Sequence, residues 1–215
     1  MINNAVIDQI SSMKFLCVLI SDNLSWNDHL SLVISKVSQA AGVIYKSSLS
    51  LPKDTLLALY FTLIYPHLTY CNIVWAVSNT VLLNKIWALQ KKSLRCIYGI
   101  RRTDSVKSIC NNLNLLSVSQ LNSYQIGCFM YKLTNKIIPN AFIGEMTLNN
   151  AIHQHNTRGA TLIHVSACSL QTRKQSIAIM GPRVWNNIPQ EVKHVACLQT
   201  FKNEYKKVVY SQVNP

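Results

Sequence analysis

Lys85, Lys91, Lys92, Arg95, Arg101, Arg102 and Lys107 put seven cationic side chains between residues 85 and 107, where Asp104 is the single acid. A solvated helix face ordinarily mixes both signs, and a run of one sign is the pattern that neutralises phosphates. Lys91, Lys92, Arg95, Arg101 and Arg102 are therefore the first candidate contacts to a nucleic-acid backbone, with Lys14, Arg158, Arg183, Lys206 and Lys207 behind them. Trp26, Trp75, Trp87 and Trp185 are able to stack on bases. Each sits beside apolar residues, so core packing is the stronger expectation for them.

Other chemistries find less support. A two-metal polymerase or nuclease site needs carboxylates that converge on a pair of ions. The chain has eight acids, the closest two in sequence are Asp22 and Asp28, and no Asp-Asp pair occurs. The glycine-rich phosphate loops and the Gly-x-Ser-x-Gly nucleophile turn are absent as well. His153, His155, His164 and Cys168 offer four nitrogen or sulfur ligands, but their spacing matches no usual zinc pattern and polar loop histidines are the expectation. No metal or cofactor is expected for the chain itself.

The charge has to be carried by a body of 215 residues, 49% of them hydrophobic, with a formal net charge of +13. That composition excludes an acidic or low-complexity disordered chain. Residues 1–84 hold four basic and four acidic side chains and sum to zero, so residues 85–215 account for the whole excess. A polyanion is the implied partner, nucleic acid before an anionic membrane. Seven cysteines (Cys17, Cys71, Cys96, Cys110, Cys128, Cys168, Cys197) are scattered without a C-x-x-C pair, and the first residues lack a signal-like apolar stretch, so an intracellular, unsecreted protein with reduced thiols is expected.

Hydrophobic periodicity supplies the elements that must position these residues. Met13–Ile20 reads as a buried strand followed by a turn. Ser25 is placed to cap a helix in which Leu30, Val33, Ile34, Val37, Ala41 and Ile44 recur at helical spacing. A second helix starts at Pro52 and is expected to meet a third at Pro66. Residues 56–77 carry no charged side chain and are long enough to span a bilayer, but Pro66-His67 and several polar groups near the middle argue for two buried helices instead. From Leu82 to Gly99, Leu83, Ile86, Trp87, Leu89, Leu94, Ile97 and Tyr98 fall on one arc at ~100° per residue, with Lys85, Lys91, Lys92 and Arg95 opposite. A helix is expected over Val118–Leu133, an exposed excursion with short strands at most over 147–175, a turn at Gly181-Pro182 leading into Trp185, and a basic amphipathic helix over Leu198–Tyr210.

Five phrases stand in order along the chain: Lys14–Ile20 with Asn23-Leu24-Ser25-Trp26; Tyr65-Pro66-His67-Leu68-Thr69-Tyr70-Cys71-Asn72-Ile73-Val74-Trp75; Leu89–Arg95; Asn156-Thr157-Arg158; and Gly181-Pro182-Arg183-Val184-Trp185-Asn186 before Ile188-Pro189. Together they resemble the C-terminal part of reverse transcriptases from non-LTR (LINE-type, jockey-like) retrotransposons, over nearly the whole chain. The resemblance implies that residues 13–26 are the end of the palm, with the K-[FY]-L-G strand turn called the primer grip. It further implies that residues 27 to about 135 are the thumb and the helices after it. The family's catalytic aspartates, including its Tyr-x-Asp-Asp turn, lie upstream of the matched part, and Mg²⁺ would belong to the full-length polymerase. Cys17 stands where that family usually has Gly, and Ser21 where Asp is common.

The expected architecture is mainly α: a short β element at the N-terminus (1–26, the end of a palm sheet), a helical thumb-like bundle (27–135), and a basic, loop-rich region ending in a helix (136–215). The expected role is a nucleic-acid-binding fragment of an RNA-directed DNA polymerase, inactive alone. Its partners would be RNA, DNA or their hybrid, and the upstream palm and fingers. The alternatives are a membrane-associated helical protein using residues 56–77 and a domesticated module whose charge meets an acidic protein.

Overall fold

The computed structural model describes residues 10–139, 146–152 and 159–212. Arg158, His153 and His155 lie outside the described residues. The chain is mainly helical, with one short antiparallel strand pair near the N-terminus. In chain order the first elements are β1 (Ser12–Phe15), β2 (Val18–Ser21), α1 (Asn27–Ser47), α2 (Lys53–Leu59), a π-helical segment (Tyr60–Ile64), α3 (Tyr65–Thr69), α4 (Asn72–Trp75) and α5 (Thr80–Tyr98). There follow α6 (Lys107–Asn112), α7 (Val118–Thr134), α8 (Asn149–Ile152), α9 (Gln171–Lys174), α10 (Ile177–Asn186), α11 (Gln190–Lys193) and α12 (Leu198–Gln212). Packing groups them into two units, residues 1–71 with 78–109 and residues 72–77 with 110–215. These units rest on contacts, whereas the three sequence segments rest on composition and resemblance, and the two divisions do not coincide.

In the first unit, the expected single strand over Met13–Ile20 is two. β1 and β2 form a hairpin in the register Phe15↔Val18 to Ser12↔Ser21, closed by Leu16 and Cys17. Both loop residues have positive φ, 44° and 64°, the geometry of the primed turns that match strand twist. Tyr70 Oη donates to Leu16 O at 2.7 Å and anchors the loop from outside it. β1 is exposed along its length, and only β2 buries side chains, Val18 and Ser21.

Behind the hairpin, α1 buries Leu30, Val33, Val37, Ala40 and Ile44, one stripe at three- and four-residue spacing. Ser25 Oγ accepts the Asn27 N–H at 3.3 Å, just ahead of the helix. Pro52 caps α2 in an extended conformation. The break expected at Pro66 does not occur there. Winding continues from α2 into α3, and the accommodation lies upstream, where Tyr65 N–H reaches back five residues to Tyr60 O. Proline has no N–H to offer the ladder, and a widened turn absorbs the mismatch without ending the helix. The chain leaves the helical path at Tyr70 and Cys71 instead, with Cys71 at φ 49°. Thr62 and Thr69 donate their hydroxyls to Ala58 O and Tyr65 O of their own helical turns. Among the described residues no helix is long and apolar enough to cross a membrane.

In the second unit α7 is the central helix. Ser117 and Gln120 close a reciprocal capping box at its start, and Leu121, Ile126, Met130 and Tyr131 are buried along it. Tyr131, Phe201 and Tyr205 stack in sequence between α7 and α12, at 4.4 Å and 5.4 Å between ring centroids. The turn expected at Gly181-Pro182 is helical, since α10 runs through both residues. Gly181 sits so close to α7 that a Cβ there would lie 2.7 Å from Met130 Sδ. The glycine thus reads as a close-packing device, and the buried Trp185 one turn later anchors the same helix. Among the described residues of 147–175 the regular structure is α8, α9 and one bridge, Leu148↔Ile163. Asn186 pins that bridge with two bonds to the Ile163 backbone, at 3.1 Å and 2.8 Å.

Candidate nucleic-acid interface

The candidate interface is built on α5 and α1. Asn79 starts α5 by accepting the Val81 and Leu82 N–H groups at 3.0 Å and 3.2 Å. Gly99 ends it at φ 61°, with Ile100 N–H turned back to Arg95 O at 3.1 Å. Between these stops, Leu83, Ile86, Gln90, Leu94 and Ile97 are buried. At ~100° per residue, Lys85, Lys92 and Arg95 fall on the other side of the helix. Lys85 and Lys92 are exposed, Lys91 and Arg95 half-buried.

These cations edge a groove of about 770 Å³. Ile34, Ser38 and Tyr45 of α1 line one side, Ala88 and Leu89 of α5 contribute apolar floor, and Lys85, Lys91, Lys92, Arg95 and Arg102 supply five positive charges. No carboxylate lines it. Asp104, the one acid of the strip, is exposed but engaged in its own loop: its Oδ2 accepts the Arg101 N–H at 2.9 Å, and its carbonyl accepts Arg95 Nε at 3.0 Å. The acid thereby shapes the loop after α5 and orients Arg95, while no cation of the strip forms an ion pair among the described residues. Lys91 Nζ lies 5.5 Å from the Trp87 ring centroid, so an aromatic face holds part of its charge.

The remaining sequence candidates are spread more widely. Arg101 is exposed next to the groove but does not line it. Lys14 is exposed on β1 opposite Leu19. Arg183 is exposed on α10 of the second unit. Lys206 is half-buried on α12, and burial lowers its pKa. Lys207 is paired with Glu204 at 2.8 Å. Trp75 and Trp185 are buried, Trp26 and Trp87 half-buried. His164 Nδ1 lies 3.1 Å from Asn149 Oδ1, and no group of three or more metal-capable side chains occurs among the described residues.

Sequence reasoning missed the α1 side of the groove. Tyr45 is 63% exposed, and with Ile34 and Ser38 it shares one face of α1 at helical spacing. Its signal was an aromatic outside the buried stripe of an otherwise regular amphipathic helix. The chain matches no family model, no curated protein and no solved structure.

Proposed function

We propose that this chain is the nucleic-acid-binding thumb and C-terminal part of a LINE-type reverse transcriptase, with no polymerase activity of its own. The observation that carries the binding role is the groove of α1 and α5, with five cations along it and no carboxylate. Positive side chains without acids between them attract a polyanion, and side chains left free of ion pairs release counterions when phosphates bind. The family reading rests on the five ordered phrases. Within it the palm and fingers upstream would be the structural partners and RNA, DNA or their hybrid the ligand, inside the cell. Mg²⁺ would serve the parent polymerase, and no step here runs through it, because the described residues bring together no carboxylate set to hold it.

The test is the salt dependence of binding. Each phosphate neutralised lowers log K by about 0.7 to 0.9 per log unit of salt. Replacing Lys91, Lys92 and Arg95 together by Gln is expected to flatten the slope by about two to three units while helix content holds, since Gln is nearly as good a helix former. The matching change of Lys202, Lys206 and Lys207 is expected to matter less. An unaltered affinity and slope in the first variant refutes the assignment.

A further inference from the structure

We infer that the groove of α1 and α5 takes single-stranded nucleic acid, with backbone phosphates on Lys85, Lys92 and Arg95 and a base turned in against Leu89 and Tyr45. This rests on the proposed function and names which nucleic-acid form the site selects.

Charge alone suits any nucleic acid, so the form is decided by what lies between the cations. Along α5 the residues between Lys85 and Arg95 include Ala88 and Leu89, which line the groove, and Ile34 faces them from α1. A duplex keeps its base faces stacked and offers this floor only sugar and phosphate, so the apolar surface would stay wet. A single strand has free base faces to bury there. Tyr45 adds a second, independent feature. It is 63% exposed at the groove and lies outside the buried stripe of α1. Stacking of a base on such a ring tolerates any sequence, because every base has a π face.

The lengths agree. Lys85 and Arg95 are ten residues apart on one helix, ~15 Å of rise. That is about four nucleotides of stacked strand at ~3.4 Å each, near the short end of single-strand site sizes. Arg102, just beyond α5, extends the cationic edge in the same groove.

The experiment measures the anisotropy of a fluorescent oligo-dT and of a blunt duplex of equal length, at one salt concentration, with the full chain. The oligo-dT is expected to bind more tightly. Tyr45→Ala is expected to weaken oligo-dT binding by about fivefold to 150-fold, the range that a lost base stack gives, and to leave the duplex unchanged. Tyr45→Phe, which keeps the ring, is expected to bind as the parent does. Equal affinity for both probes, or a Tyr45→Ala variant that binds oligo-dT undiminished, overturns the single-strand assignment and leaves a salt-dependent backbone site standing. Binding of neither probe by the folded chain overturns the proposed function as well.

Discussion

Replacing Cys17 by Gly is expected to stabilise the β1–β2 hairpin. The loop has two residues, and the second, Cys17, is held at φ 64° with its side chain exposed. An L-residue in the left-handed region carries a penalty of roughly 1–2 kcal/mol from the approach of Cβ to the backbone, and Gly has no Cβ. Gly loses more unfolded-state freedom, which returns roughly 0.5–1 kcal/mol. The net gain is about 0.5–1 kcal/mol, or roughly a two- to fivefold shift of the local opening equilibrium. Little contact is sacrificed, because the thiol is exposed. Amide hydrogen exchange read residue by residue over β1 and β2 is the suitable assay, since a hairpin opens locally well below the global unfolding free energy. Protection should rise two- to fivefold in Cys17→Gly, stay near the parent value in Cys17→Ala, and fall in Cys17→Val, whose branched Cβ suits a left-handed position least. Equal protection in the Gly and Ala variants would refute the backbone explanation. So would faster exchange in the Gly variant. The outcome also bears on the resemblance, because the family usually has Gly at this position.

Two further predictions concern protonation and close packing. Burial lowers the pKa of His29, whose Nδ1 accepts the Leu19 N–H at 3.3 Å; burial and then the charge of Lys36 lower that of His67. Below the ordinary imidazole value of ~6.5 the unfolded chain takes up protons that these folded side chains resist, so stability is complete above that pH and declines as pH falls through it. The urea midpoint should drop between neutral and mildly acidic pH, less steeply in His29→Asn, and a midpoint that does not move refutes the assignment. In the second unit, Gly127→Ala would drive a Cβ into the Tyr205 ring and is expected to cost about 1–3 kcal/mol in urea unfolding. Gly42→Ala on the exposed face of α1 meets nothing and should be neutral or stabilising by about 0.5–1 kcal/mol. Equal effects from the two substitutions would sink that distinction.

The helices that announce themselves in the sequence are those whose ends carry their own signals. α5 has Asn79 and Gly99 at its two stops, α7 has Ser117-x-x-Gln120 at its start, and between those residues the apolar spacing is regular. Where local signals and packing disagree, packing decides. Gly181-Pro182 has the composition of a turn, yet α10 continues through it because a residue without Cβ lets the helix close on Met130. Leu16-Cys17 has no turn composition at all, yet the chain reverses there, with the Tyr70 hydroxyl on the Leu16 carbonyl. Pro66 marks a helix break only if the ladder must stay at four residues, and the π turn upstream relieves it. The cations of the site are visible in the sequence because one helix carries most of them. The groove is not, since Tyr45 acquires its meaning only when α1 lies beside α5.

Charge shows the same difference between order along the chain and grouping in space. Counted along the sequence, residues 1–84 are neutral and the excess lies entirely beyond them. Counted by compact unit among the described residues, the first holds eleven basic and four acidic residues, net +7, and the second nine and two, net +7. Residues 10–71 and the basic strip belong to one folded unit, in which α1 supplies the uncharged side of the groove and α5 the charged one, whereas residues 72–77 belong to the other. Both units carry a net positive charge, so raw affinity for a polyanion at low salt would not tell them apart. What separates them is how the charges are held. In the first unit the strip cations form no ion pair among the described residues and edge an apolar floor; on α12, Lys207 is paired with Glu204 and Lys206 is half-buried. The salt slope counts released counterions rather than net charge. It should therefore respond to the α5 cations and scarcely to those of α12, although the two units carry the same excess among the described residues.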